Sequence, residues 1–520
     1  MSMPTPIVSR LVPSTLGFLL LLGAHACADI KLPSILGDHM VLQQQTDAAL
    51  WGWADPGESV EASFLGTSAS AVAGPDGRWS LNLSTPKAGA NGDLKLRGKN
   101  TITLKDVLVG EVWLASGQSN MEWPLAKAAN ALQEIATAKL PQIRLFTVRR
   151  SAHEEPQQDC EGHWEVCSPE SVVNFSAVAY FFGRALHNDL GFPVGLVHSS
   201  WGGTPAEFWT PKEVLDAIPE FRHLSENWEK TKANYPKAKA EFEEKLNLWR
   251  AASAKAKTDG TPAPQPPRPP NGGDATGSPS SLYNGMIAPL TSFSIQGVIW
   301  YQGEANAGRA REYHTLFPTL IASWRREWEA ELPFLFVQLA NFNARRLPPS
   351  IDPEESHWAE LREAQLRTLE VPRTGMAVTI DIGEGDNIHP KNKQEVGRRL
   401  ALVAKASVYF VDTAYCGPVL NTFQLEAPKV RLSFRNSDAL KASDGGNIKG
   451  FAVAGEDRVF HWAEAEVQDS HVIVSSPRVP HPVAVRYGWA DNPSCNLTNA
   501  SALPASPFRT DDWPQPTPAK

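Results

Sequence analysis

The run Glu111–Met121 (EVWLASGQSNM) is apolar and strand-like until it breaks into a small polar turn presenting one hydroxyl, Ser119. A serine at the end of a buried strand stands where open α/β sheets hold their ligands, just outside the carboxyl ends of the strands. The turn is not a Gly-x-Ser-x-Gly elbow, because Met121 occupies the second glycine position. That argues against an ordinary α/β-hydrolase and for another serine-hydrolase architecture. Taken alone, such a serine is more often a helix cap than a nucleophile. A neutral hydroxyl becomes a nucleophile only when a base takes its proton, and histidine is the usual base. Of the 13 histidines, His389 has the context for it: the apolar run Met376–Gly383 breaks into the polar loop Glu384–Pro390, with Asp386 three residues before the imidazole. A carboxylate there can fix the tautomer and favour the imidazolium. Glu220/His223 and Glu354/His357 share the spacing but lie in charged, helix-like stretches that read as solvated faces. The alternative role for His389 is a loop histidine capping a helix that starts near Lys391.

Two further strand ends supply the complement. Gly297–Glu304 (GVIWYQGE) and Val194–Thr204 (VGLVHSSWGGT) both pass from apolar run to polar turn. Acyl transfer builds negative charge on a carbonyl oxygen, which prepositioned donors must meet. The backbone N–H groups of Ser119 and of the Gly202-Gly203 turn, with the Gln302 amide, are the natural donors. Glycines there are also explained by tight turning alone.

At 520 residues the chain is too long for one compact core, so two or three domains are expected. Residues 29–109 read as an N-terminal β-sandwich: Val60, Ala62 and Phe64 alternate with polar neighbours, as do Trp79, Leu81 and Leu83 after the Pro75-Asp76-Gly77 turn. From Gly110 to Asp412 strands near Val112, Val194, Val298, Phe334 and Ala377 alternate with helices expected over 125–139, 176–190, 311–330, 355–370 and 391–410. That pattern predicts an α/β domain with a parallel sheet covered on both faces. All four reactive motifs follow strands, hence share one sheet edge. An insertion at 211–281 is helical and charged to about 257, then rich in Pro, Gly and Ser. It is expected to form part of the rim over the site, with a solvated flap as the alternative. After residue 413 a β pattern returns (Val430, Leu432, Phe434; Val472–Val474; Val483–Tyr487), predicting a C-terminal β-rich region to 520.

A net charge of −8 with no basic stripe gives no ground for nucleic-acid binding. Arg10, the apolar run Leu16–Gly23 and Ala26-Cys27-Ala28 read as a signal peptide over 1–28, hence a secreted or periplasmic protein; the run is too short to span a bilayer comfortably. Cys160, Cys167, Cys416 and Cys495 remain, and an even count in an exported chain suggests disulfides. The expected pairs are Cys160–Cys167 and Cys416–Cys495, with four buried thiols as the alternative. No His-Glu-x-x-His and no close cysteine pair is present, so no metal site and no cofactor are expected.

The motifs Gly117–Met121 (GQSNM), Ser200–Pro205 (SWGGTP), Trp300–Glu304 (WYQGE) and Asp386-x-x-His389-Pro390, with His39–Gln43 (HMVLQ) and Leu282–Ile287 (LYNGMI), resemble the sialate O-acetylesterase family of SGNH-type serine esterases. The resemblance covers nearly the whole chain after the signal. It implies a three-layer α/β/α catalytic domain over 110–412, flanked by β-sandwich-like regions. It implies Ser119 as nucleophile, His389 as base, Asp386 as its orienter, and an oxyanion hole from Ser119, Gly203 of the glycine pair and Gln302. Gln118, Trp201, Glu304 and Asn284, in the same motifs, are the side chains expected against substrate. Gln302 stands where the broader superfamily has asparagine, a feature of the sialate-type branch. The implied activity is removal of O-acetyl groups from a carbohydrate, O-acetylated sialic acid first, acetylated xylan or xyloglucan as the alternative. A non-catalytic glycan-binding protein is the more distant reading.

Overall fold

The computed structural model describes Met1, residues 29–343 and residues 356–514. The signal-peptide segment and Glu354 therefore lie outside the described residues. Among the described residues no helix is long and apolar enough to cross a membrane.

Two small sheets open the chain. Asp47–Trp53 pairs antiparallel with Arg78–Ser84, and Ser59–Phe64 pairs with Thr67–Val72 and Asn91–Arg97. Leu50, Leu81 and Leu83 from the first and Val60, Ala62 and Phe64 from the second are buried in one apolar core, so the period-2 alternation read from sequence points inward as expected. Asn91–Arg97 then pairs with the start of a 17-residue strand, Thr101–Gly117. This strand does not stop at the expected boundary near 109. It runs on as the central strand of the main sheet, and from Val107 its side chains are buried on both faces. That change from alternation to continuous burial marks entry into a parallel sheet.

The main sheet has the order Thr374–Val378, Phe334–Gln338, Gly297–Tyr301, Thr101–Gly117, Val194–Ser200, Leu140–Thr147, Trp164–Cys167. All neighbours are parallel except the last pair. The chain builds first on one side of Thr101–Gly117 and then on the other, so the strand order reverses there. Ligands gather at such a switch point, at the carboxyl end. Trp113 meets Phe182 of the helix Ala177–Leu190 (centroids 5.0 Å apart), and a Cβ on Gly397 of the helix Lys393–Ser407 would come within 2.5 Å of Phe181. Trp113 is in register with Gly297, whereas Trp300, three residues on and so facing the other way, packs on Phe317 and Trp324 of the helix Ala310–Glu327.

The C-terminal region has two four-stranded antiparallel sheets, Val419–Glu426, Lys429–Arg435, His471–Ser475, Glu464–Gln468 and Phe460–Trp462, Phe451–Ala454, Ala484–Tyr487, Phe508–Arg509. They share a core of their own around Val430, Leu432, Phe451 and Tyr487. Buried Arg362 holds this region by donating to the Ala490 and Asp491 carbonyls.

Three expectations need correction. The helix expected over 125–139 is a short turn, Leu125–Lys127, and a helix, Ala131–Thr137, because the Ala129 N–H is drawn off to the Lys391 carbonyl. The strands Leu140–Thr147 and Trp164–Cys167 were not among those expected. Neither expected disulfide forms: Cys160, Cys167 and Cys416 are thiols. The Cys167 Sγ sits 3.9 Å from the Ala138 carbonyl, and burial pushes the Cys160 and Cys167 thiols up to about 12.

Candidate active site

The turn that carries Ser119 begins with a glycine whose place a side chain cannot take. Gly117 has φ +135°, and a Cβ there would lie 2.2 Å from the Tyr301 carbonyl on the neighbouring strand. The same carbonyl accepts from the Gln118 N–H at 3.0 Å. The strand thus ends against its neighbour, and Ser119 opens a one-turn helix, Ser119–Glu122, with its hydroxyl half-buried. His389 Nε2 is 2.8 Å from Ser119 Oγ, although 270 residues separate them.

His389 is held by its loop and by a ring. Asn387 clamps His389 at both backbone groups, its Oδ1 accepting from the His389 N–H (3.0 Å) and its Nδ2 donating to the His389 carbonyl (2.9 Å). The imidazole stacks on Trp123 at 4.9 Å with 17° between planes. Burial, with the Lys393 and Lys127 cations nearby, holds the imidazole below its ordinary range. It is therefore neutral near pH 7 and able to accept the serine proton. The helix near residue 391 is capped by Asn392, whose Oδ1 accepts from Glu395, so the capping alternative for His389 is not what the fold uses.

Asp386 is not brought to the base. It is exposed at the tip of the loop, and among the described residues no hydrogen bond or ion pair joins it to His389. The Glu384–Asn387 turn carries its side chain outward.

Gln302 also has a different job from the one expected. It is fully buried, its Nε2 donating to Asn306 Oδ1 (2.7 Å) and the Thr204 carbonyl (3.3 Å) while its Oε1 accepts from the Tyr313 hydroxyl (2.9 Å). Both amide hydrogens are committed, so the side chain braces the Thr204 turn rather than facing an oxyanion. Within that turn Glu122 takes the Gly202 N–H at 2.9 Å, and a Cβ on Gly202 would meet Ser119 Cβ at 3.1 Å. The turn therefore lies directly on Ser119. The Ser119 and Gly203 N–H groups have no acceptor among the described residues, which leaves these two for a developing negative charge.

The remaining expected contacts divide. Trp201 is half-buried beside the turn, with the Arg150 guanidinium 5.4 Å from its ring, and Arg150 Nε donates to Glu122 at 2.7 Å. Gln118 is buried and its Oε1 accepts from the Ala305 N–H (3.2 Å), joining the first motif to the third. Asn284 is buried and donates to the His153 and Glu154 carbonyls (3.0 and 2.8 Å), ordering the loop after Thr147. Glu304 accepts from Asn120 Nδ2 at 2.6 Å through Oε1, its buried Oε2 has no hydrogen-bond partner among the described residues, and burial raises its carboxyl above the usual range. Gln118 and Asn284 are thus scaffold residues, and Glu304 belongs to a buried network.

Sequence reasoning missed that network's other members. Asn120 Oδ1 accepts from the buried Lys393 ammonium, which lies 5.3 Å from the Tyr301 ring. Burial pushes the Lys393 amine down to about 7. One signal was available: Lys393 is in step with Val396, Gly397 and Leu400 on the buried stripe of its helix, where a lysine is out of place. The insertion contributes the 38-residue helix Arg222–Asp259, whose Trp228 and Thr231 line a cavity of about 230 Å³ with Glu207 and Arg309.

A family model described as "Carbohydrate esterase, sialic acid-specific acetylesterase" matches residues 271–405. The chain is 31% identical to the sialate O-acetylesterase of Rattus norvegicus over 95% of this chain and 98% of that protein. It is 30% identical to that of Mus musculus over 92% and 94%. A crystal structure of a novel carbohydrate acetylesterase from Xanthomonas citri matches with a TM-score of 0.79 and 38% identity, covering 93% of this chain and all of that one.

Proposed function

The chain belongs to the sialate O-acetylesterase family and is a carboxylic ester hydrolase; on that premise we propose that it releases acetate from O-acetylated sugars through an acetyl-serine at Ser119. The observation that carries this reading is the 2.8 Å approach of His389 Nε2 to Ser119 Oγ beside the Gly203 turn. The catalytic region reads as an SGNH-type three-layer domain, with Ser119 at the strand-order switch.

In the proposed cycle Ser119 Oγ attacks the acetyl carbonyl carbon while neutral His389 takes its proton. The oxyanion accepts from the Ser119 and Gly203 N–H groups, two donors whose removal costs about a hundred- to a thousandfold each in comparable sites. The carbon–oxygen bond to the sugar breaks, and His389 returns the proton to the leaving sugar oxygen. Water, deprotonated by the same imidazole, then attacks the acetyl-serine and releases acetate. The cycle uses Ser119 and His389 as a pair, with Trp123 stacking and the Asn387 clamp orienting the ring.

O-acetylated sialic acid is the first substrate proposed. Lys127 is exposed, lies 5.5 Å from the Trp123 ring and makes no ion pair among the described residues, so it is available to a sugar carboxylate at the mouth of the site. Acetylated xylan or xyloglucan is the second reading; the 38%-identical structure is described as a carbohydrate acetylesterase, with no sugar named. Acetate release from O-acetylated sialic acids, acetylated xylan and acetylated xyloglucan, each compared with Lys127→Ala, tests the choice. The sialate reading expects a raised KM for sialates in the variant and an unchanged KM for aryl acetates. Turnover confined to the neutral polymers would overturn it.

A further inference from the structure

A second cleft, of about 440 Å³, opens between the outer face of the first N-terminal sheet and the catalytic region, and neither Ser119 nor His389 lines it. Its floor comes from the register of two strands. Trp51 is paired with Ser80 and Trp53 with Arg78, and these four side chains share the face opposite Leu50 and Leu81. On an outward face the alternation calls for polar residues, yet Trp51 and Trp53 are there, each only half-buried. Trp79 also borders the cleft, from the inward face that it shares with Leu81; it is 3% exposed, and its indole N–H has no acceptor among the described residues. Buried donors without partners are rare enough to need an explanation. Gln157, Gln158 and Ser292 stand on the catalytic side.

We infer that this cleft is a binding site for neutral pyranose units of a glycan chain, separate from the site of deacetylation. A pyranose ring has faces of C–H groups that pack on indole and a rim of hydroxyls that need donors and acceptors. Large apolar rings with a few convergent polar groups meet both demands. Arg78 is the one charged side chain lining the cleft, and its Nε is already 3.6 Å from the Asp76 carboxylate. A neutral sugar fits that balance better than an anionic one.

The cleft is tied to the active site by one loop. Arg150, at the loop's near end, bonds Glu122, which holds Gly202 against Ser119. Gln157, seven residues on, lines the cleft, and its N–H donates to the Asn284 carbonyl at 2.9 Å. Seven residues span at most about 25 Å. A glycan held in the cleft is therefore held within that distance of the catalytic wall, and the buried motif residue Asn284 fixes the loop that sets the spacing. The inference rests on the enzyme acting on sugars.

The test is affinity electrophoresis of the full chain carrying Ser119→Ala in gels containing xylan, xyloglucan or desialylated mucin. At least one polymer should retard it, and adding Trp53→Ala should weaken that retardation at least tenfold. With Ser119 intact, Trp53→Ala should raise KM for the acetylated form of the retarding polymer while aryl-acetate kcat/KM stays within twofold. Arg78→Ala, an exposed change in the same cleft, should weaken retardation in the same direction if Trp53→Ala does not fold. No retardation by any of the three polymers, or retardation untouched by the variants, would overturn the inference. Loss of aryl-acetate hydrolysis in the unaltered enzyme would instead count against the esterase reading.

Discussion

The Asn120 side chain donates to the Ile388 carbonyl at 3.0 Å, so the residue after Ser119 holds the residue before His389. The same amide donates to Glu304 and accepts from Lys393. Three distant segments are thereby locked around one side chain. Asn120→Ala should lower kcat on an aryl acetate by about a hundredfold, the scale on which small misplacements of reacting groups act, while KM moves little. Steady-state kinetics with both constants checks this; an unchanged kcat would mean that the dyad holds itself.

The acid limb of kcat/KM should fall below the ordinary imidazole value, because burial and two cations disfavour the imidazolium of His389. The charged groups bearing on this network are Lys393 and Lys127 on one side and Glu304 and Glu384 on the other. Lys393→Met removes a cation, so protonated His389 becomes easier to form, its pKa rises, and the acid limb moves to higher pH. A pH–rate profile that stays in place would contradict the assignment.

Gln302→Ala leaves the Thr204 carbonyl and the Tyr313 hydroxyl without the Gln302 amide, while Asn306 Oδ1 keeps the Ala206 N–H. Each buried group left unsatisfied costs on the order of 1–3 kcal/mol. Denaturant unfolding should show a loss in that range or above, together with reduced turnover as the Gly203 turn loosens. Full stability with a hundredfold lower turnover would instead restore Gln302 as an oxyanion donor.

Asp386→Asn should leave kcat within about threefold of the unaltered enzyme, because the carboxylate does not reach His389. A fall of about 10⁴, as when a triad aspartate is neutralised, would mean that Asp386 turns in to the imidazole during catalysis.

Much of this was legible in the sequence, for identifiable reasons. The strand ends at Gly117, Ser200, Tyr301 and Val378 were visible because buried parallel strands are continuous apolar runs, and glycine or polar turns punctuate them. Ser119 and His389 followed from their places at two such ends. The roles of Gln302, Asn284 and Asp386 were not legible, since spacing gives proximity along the chain and says nothing of which way a side chain points. Gln302 and Asn284 sit in motifs but face inward. The strand Leu140–Thr147 begins Leu140-Pro141-Gln142, a start that obscures its period, and Lys393 reads as a surface lysine unless its helix face is drawn.

The most direct measurement is labelling with a fluorophosphonate probe followed by peptide mapping. The account predicts one modified residue, Ser119, with labelling abolished in Ser119→Ala and slowed at least a hundredfold in a folded His389→Ala variant. Modification at another serine, or a rate indifferent to His389, would contradict it.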